Sequence, residues 1–262
     1  MANTSVVSSV SRLGKYEPFN LQVSRRQVTM HEPAYVWGYS TLIGATLLPV
    51  WDVNQAKPYL TTAAVMKVSS GSADDDSAGT GARTVLVSGL DQSYDSISEI
   101  VTLDGQTEVA TTKAFLRVLS VTVLTVGSGG LNAGAIYVGT GTVTTGVPAV
   151  VHEIVPIGMN KSQSASYTVP AGYTAFFSRG GMTSHTTGSG HITGRLAASN
   201  QGSPFVTSAV TVFANTVVEY EFDYPLAFPE KTDIEARAIA SSGTHAVSAY
   251  LQLILIKDNG QT

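Results

Sequence analysis

The stretch ARTVLVSGLDQSYDSISEIVTLDGQTEVATTKAFLRVLSVTVLTV, residues 82–126, decides the fold class and reads as four strands in succession. Thr84 to Val87 is a short β-branched run that ends at Gly89, and Leu90 to Asp95 supplies a polar turn. From Ile97 to Leu103 the chain alternates: Ile97, Glu99, Val101 and Leu103 take one side, and Ser98, Ile100 and Thr102 the other. Asp104-Gly105 then predicts a hairpin, since a type I′ turn needs positive φ at both central residues. A threonine-rich segment leads into Phe115 to Val118, and Leu119 to Val126 is another β-branched run stopped by Gly127. No catalytic constellation lies inside this meander. It reads as a scaffold or interaction domain, with an enzyme the weaker reading.

The same punctuation continues outward. Ala63 to Ser69 reads as a strand, and Tyr35 to Tyr59 as an edge strand or packed loop, broken by Pro49, Pro58 and scattered glycines. Its Trp37 and Trp51 are expected to be core or interface anchors. Downstream, Ala135 to Val138 and Val150 to Ile157 are short strands. Val169-Pro170-Ala171-Gly172-Tyr173 is a turn with strands on both sides. Residues 191–198, 210–222, 232–240 and 246–256 supply further strands, and Ala249 to Ile256 is apolar enough to be a central strand buried on both faces. Short strands at this spacing predict an all-β fold of one or two β-sandwich, jelly-roll-like domains behind an extended N-terminal arm. The expected division is an arm at 1–33, one sandwich at 34–145 and a second at 146–262, joined near Gly139 to Pro148.

Composition narrows the function classes. Only 13% of the 262 residues are charged, against about 25% in a typical soluble domain. Such a surface suits a protein whose faces are covered by neighbours or by sugar. A net charge of −4 gives no general pull towards nucleic acid or anionic membrane. The absence of cysteine excludes disulfides and thiolate-bound metal. No apolar run reaches the ~20 residues that span a bilayer, and MANTSVVSSVSRLGKYEP lacks the apolar core of a secretory signal.

The candidate sites are weak ones. Asp74, Asp75 and Asp76 lack the alternate spacing of a calcium loop and read as a solvated acidic tip. His185 and His191 share the segment SHTTGSGHITGR, which contains no carboxylate to complete a zinc site. His152-Glu153 has no nucleophile elbow near it. Glu219 and Glu221 share a strand face at a separation of about 6–7 Å, a glycosidase-like distance that any β protein produces. We therefore expect no catalysis, cofactor or metal. The arm carries Arg12, Lys15, Arg25 and Arg26, a thin footprint for nucleic acid without interleaved aromatics, and is better suited to gripping a neighbouring subunit.

Residues 72–138 carry a resemblance. The elements are Ala78 to Arg83 (AGTGAR), Gly89 to Tyr94 (GLDQSY), Ser98 to Gly105 (SEIVTLDG), Thr112 to Arg117 (TKAFLR) and Gly129 to Gly134 (GGLNAG). With Tyr167 to Tyr173 (YTVPAGY) and Glu230 to Ile234 (EKTDI), they resemble virion structural proteins of tailed bacteriophages, particularly marine ones. The resemblance covers around half the chain. It implies a β-sandwich component of a virion, assembled in the host cytoplasm. The expected role is a decoration or cement protein, a closed homo-oligomer such as a trimer, clamping major capsid subunits through the arm. Arg12, Lys15, Arg25, Arg26, Trp37 and Trp51 would form its interface. The alternative is a tail or fibre component whose segment Ser178 to Arg195 binds a host surface glycan through Arg179, His185, His191 and Arg195.

Overall fold

The computed structural model describes residues 17–185 and 190–258. Among the described residues the protein is all-β apart from one short helix, α1 (Phe19–Ser24). The strands are β1 (His31–Ile43), β2 (Leu48–Pro49), β3 (Ala64–Ser70), β4 (Ala82–Leu90), β5 (Ser96–Thr102), β6 (Val109–Phe115), β7 (Arg117–Val126), β8 (Ile136–Thr144), β9 (Val147–Val155), β10 (Ser166–Thr168), β11 (Tyr173–His185), β12 (Ile192–Asn200), β13 (Val206–Phe213), β14 (Val217–Phe228), β15 (Thr232–Ala240) and β16 (His245–Lys257).

Their pairing produces two sandwiches. One sheet runs β1-β16-β11-β14, and the facing sheet runs β10-β15-β12-β13, with β2 also on β15. β2 and β10 occupy a single strand position. Pro49 faces Arg237 and Ser166 faces Glu235. Between them the Val50 amide donates to the Ala236 carbonyl, and the Ala236 amide donates to the Ala165 carbonyl, both at 2.9 Å. Counted as one interrupted strand, β2/β10 completes eight strands in the order 1-8-3-6 against 2-7-4-5, the double wrap of a jelly roll. All of the chain between Val50 and Ala165 is an excursion from the middle of that second strand. The excursion forms its own sandwich, with sheets β6-β3-β8-β9 and β5-β4-β7.

Each sandwich has its own core. Val36, Phe177, Met182, Ile192, Phe213, Ile234, Leu251 and Leu253 pack inside the jelly roll. Met66, Val85, Val87, Leu103, Phe115, Val121 and Ile136 pack inside the inserted sandwich. β1 passes so close to the two ends of the excursion that only glycine fits at Gly38: an added Cβ would lie 2.4 Å from the Val50 carbonyl oxygen and 2.5 Å from Ala165.

Several expectations need correction. The halves 34–145 and 146–262 do not follow the sheets, because β1 and β2 pair with the C-terminal strands while β9 belongs to the inserted sandwich. The arm is not extended as far as residue 33: α1 folds back with Val23 buried, and β1 begins at His31. Asp104-Gly105 does not join a hairpin, since β5 pairs with β4 and β6 with β3. Only Gly105 has positive φ there, and the Thr107 amide closes the turn on the Asp104 carbonyl, so the turn hands the chain from one sheet to the other. β16 is central as expected, but it alternates between buried and half-buried residues. Residues 210–222 break at Ala214–Thr216 into two strands on opposite sheets.

The acidic triplet also differs. Asp75 is fully buried, whereas Asp74 is exposed. Its carboxylate accepts from the amides of Ala82 (2.6 Å), Ala133 (2.8 Å) and Gly134 (2.8 Å) and from the Ser70 hydroxyl (2.6 Å). It ties three separate segments of the inserted sandwich to one side chain.

Candidate functional site

The seam between the two sandwiches is polar and closed. Arg117, at the start of β7, makes two parallel 2.9 Å hydrogen bonds to Asp233 at the start of β15, and both are buried. The guanidinium also donates to the carbonyls of Leu60 and Leu116 and lies over the rings of Tyr59 and Tyr94. Burial works against the charged guanidinium, but the hydrogen bonds and charge of Asp233 prevail and raise its pKa above the ordinary arginine value. Thr168 donates to Asp233 and Tyr59 donates to Glu235, each at 2.6 Å. Burial, then the charges of Glu235 and Asp233, push the Tyr59 phenol well above its usual range. Glu235 is held in turn by Arg237, and Glu153 by Lys57 at 2.7 Å.

His152 lies in this seam, buried, with Nε2 3.2 Å from the Thr140 hydroxyl. Burial, followed by repulsion from Lys57 and Arg117, lowers its pKa to about 4. The folded chain therefore holds a neutral imidazole, while the unfolded chain takes up a proton as pH falls below about 6.5. Stability at His152 is complete at neutral pH and is lost as pH falls through that window, in total about 3 kcal/mol. Removing the imidazole in His152→Gln should flatten the pH dependence of the urea unfolding free energy by about that amount between pH 7 and pH 4. Parallel profiles for the two proteins would contradict this account. The His152-Glu153 pair is thus structural: Glu153 is fixed by Lys57, Ser164 and the Ile154 amide.

Beside the closed seam, the two sandwiches part to leave a cleft of about 570 Å³. One wall is the outer face of β5-β4-β7, where register places Ser98, Ser88 and Ser120 in a row across all three strands. Their hydroxyls make no hydrogen bond within the described chain. The opposite wall is β1, the edge strand of the jelly roll, whose alternation turns Val36, Gly38 and Ser40 inward and leaves Tyr35 and Trp37 exposed at 55% and 54%. Trp37 stacks on Tyr250 of the neighbouring β16, with ring centroids 5.0 Å apart. Tyr250 in turn lies across Gly181, where an added Cβ would meet its ring at 2.7 Å, and donates to Glu219 at 3.0 Å. Gln163, Tyr167 and Lys161 complete the rim, and Lys161 is the one formally charged residue lining the cleft among the described residues. The cleft therefore offers neutral hydroxyls and aromatic faces, with no carboxylate pair and no nucleophile beside a base among the described residues.

The expected site residues fall in different places. Trp51 is not an interface anchor: it is 1% exposed, packs with Val151 and Ile154, and its indole N–H donates to the Gln55 carbonyl. Trp37 is the accessible tryptophan. Arg25 pairs with Glu17, and Arg26, at φ 56°, ends the helical turn. Arg12 and Lys15 lie outside the described residues. Ser178 to Arg195 is not one contact loop. Arg179 sits within β11, donating at 2.7 Å to Glu219, whose pKa it lowers, while Arg195 sits within β12 on the facing sheet. His185 ends β11, and His191 precedes β12 across a segment that includes residues outside the description. Tyr220 and Phe222 line a slot between the sheets, as the alternation around Glu219 and Glu221 predicts. Reasoning from the sequence missed the serine row, for which the signal was available: Ser88, Ser98 and Ser120 all stand at outward positions of the alternation.

No family model matches the chain, and no curated protein matches it. Similar solved structures include the infectious bursal disease virus Gt strain, at 10% identity and TM-score 0.23, covering 94% of this chain and 79% of that one. The VP2 subviral particle of infectious bursal disease virus aligns at 10% identity and TM-score 0.24, over 89% of this chain and 74% of that one. Likenesses of this size carry no argument about what this chain does.

Proposed function

We propose that the chain is a non-enzymatic structural protein of a virus particle that works by packing against copies of itself and against other virion proteins. The observation that carries this reading is an apolar side of the jelly roll. β13 and β14 are the free edges of their two sheets, and each edge leaves a row of backbone groups unpaired. On them Val206, Val210, Val212, Val217 and Tyr224 are 57–89% exposed. Val210 and Tyr220 both border the slot between the two edges. Apolar side chains beside two open edges, on a chain with so few charges, suit a surface that is covered in the assembled state. The bacteriophage-like motifs of residues 72–138 support a virion as the setting. A closed homo-oligomer such as a trimer, decorating a head and gripping capsid subunits through the N-terminal segment, is the specific form we favour.

The test is self-association. Wild-type protein should sediment as an oligomer, and Val210→Glu/Val212→Glu should dissociate it without altering its thermal unfolding. Burying two carboxylates in place of two central valines should cost about 2 kcal/mol or more, roughly a thirtyfold weakening. A wild-type chain that stays monomeric at every concentration would overturn the proposal.

A further inference from the structure

We propose that the cleft between the sandwiches is a binding site for a neutral carbohydrate chain, recognised by Trp37 and Tyr35 on one wall and the hydroxyls of Ser88, Ser98 and Ser120 on the other. This inference is independent of self-association through β13 and β14.

Three observations converge. The first is the aromatic wall. A large aromatic residue exposed beside a concave surface offers a flat apolar face. Trp37 is braced from behind by Tyr250, which is itself pinned by Glu219, so the indole is held in place before any ligand arrives. A pyranose ring has a matching face of C–H bonds, and a rigid aromatic anchor binds it at low entropic cost. The second is the row of free hydroxyls. Ser98, Ser88 and Ser120 repeat at the inter-strand spacing of the sheet, about 4.7–4.9 Å. Each is both donor and acceptor, as is every hydroxyl of a sugar. The third is charge. With Lys161 alone among the described lining residues bearing a formal charge, they supply no paired cations of the kind that sulfated or phosphorylated ligands call for. Its volume of about 570 Å³ falls within the roughly 300–1,000 Å³ of small-ligand sites.

The chain supplies its own probe. It has two tryptophans, Trp37 exposed and Trp51 buried, so acrylamide quenching of the intact protein reports on Trp37. Neutral oligosaccharides of glucose, mannose and galactose, in α and β linkages, are titrated in turn. At least one should protect the fluorescence from quenching saturably. Isothermal titration with that oligosaccharide should then show Trp37→Ala weakened about tenfold and Ser88→Ala/Ser98→Ala weakened by a similar factor. Both changes are on exposed or half-exposed positions, and circular dichroism confirms that the variants are folded. His191→Ala, on the far segment, should bind as wild type does. Failure of every oligosaccharide to protect Trp37 would overturn the proposal. So would undiminished binding by the folded serine variant, or loss of binding in His191→Ala.

Discussion

Arg117→Ala should lower the stability of the protein by about 4 kcal/mol, because it strands Asp233 as an unpaired carboxylate inside the seam. For a chain of this size that is a fall of roughly 8–16 °C in melting temperature. The expected size follows from the geometry. Both ends of the pair are buried, the two hydrogen bonds are parallel, and the remaining guanidinium donors reach the carbonyls of Leu60 and Leu116. Removing the cation leaves those acceptors without partners as well. Arg117→Lys should recover little of the loss, since an ammonium cannot reproduce the planar fork. The pair is not a large net source of stability, however. In Arg117→Met/Asp233→Leu no charge is left to strand, and most of the loss should be recovered. Urea unfolding of the four proteins distinguishes these outcomes. A single-variant loss below about 1 kcal/mol would show that water reaches Asp233 and that the seam opens in solution.

The second large effect is at Asp75. Asp75→Ala should cost about 3–4 kcal/mol, since it leaves three amide donors, those of Ala82 and Gly134 buried, without an acceptor and removes charge-assisted bonds of the stronger kind. Asp75→Asn should cost about half as much, because one oxygen still accepts from Ala82 and Ala133 while the new amide faces the Gly134 N–H. The neighbouring Asp74→Ala should stay within about 0.5 kcal/mol, as a substitution on an exposed residue. Thermal unfolding of the three variants is sufficient. Equal effects at positions 74 and 75 would contradict the buried-acceptor account.

The all-β class was legible in the sequence because strands and turns are local signals. Thr84 to Val87, the alternation from Ile97 and the turn at Gly172 each announce themselves within a few residues, and each stands where it was expected. The partners of those strands were not legible. β1 meets β16, and β2 meets β15, across most of the chain, and neither pairing leaves a mark in the neighbouring residues. The excursion within the second strand is hidden for the same reason. Burial of polar residues was equally hard to read. Asp75 looks like a solvated tip because the segments that cover it, around Ala82 and Ala133, arrive later in the chain. Trp37 and Trp51 were indistinguishable from their surroundings until the fold placed one on the edge strand β1 and the other, just past β2, against Val151 and Ile154.

The interrupted strand has a consequence for synthesis. The inserted sandwich is one uninterrupted run of sequence, so it can be complete while the ribosome is still working on the jelly roll. β1 is less fortunate, because among the described strands it pairs only with β16, the sixteenth in chain order. About 200 residues separate the end of one from the start of the other. At translation rates of about 5–20 residues per second, β1 waits roughly 10–40 s with its hydrogen-bonding edge vacant. Throughout that interval the β16 of another copy that has not yet closed on its own β1 competes for it. Each nascent chain thus spends its longest folding delay open to strand exchange.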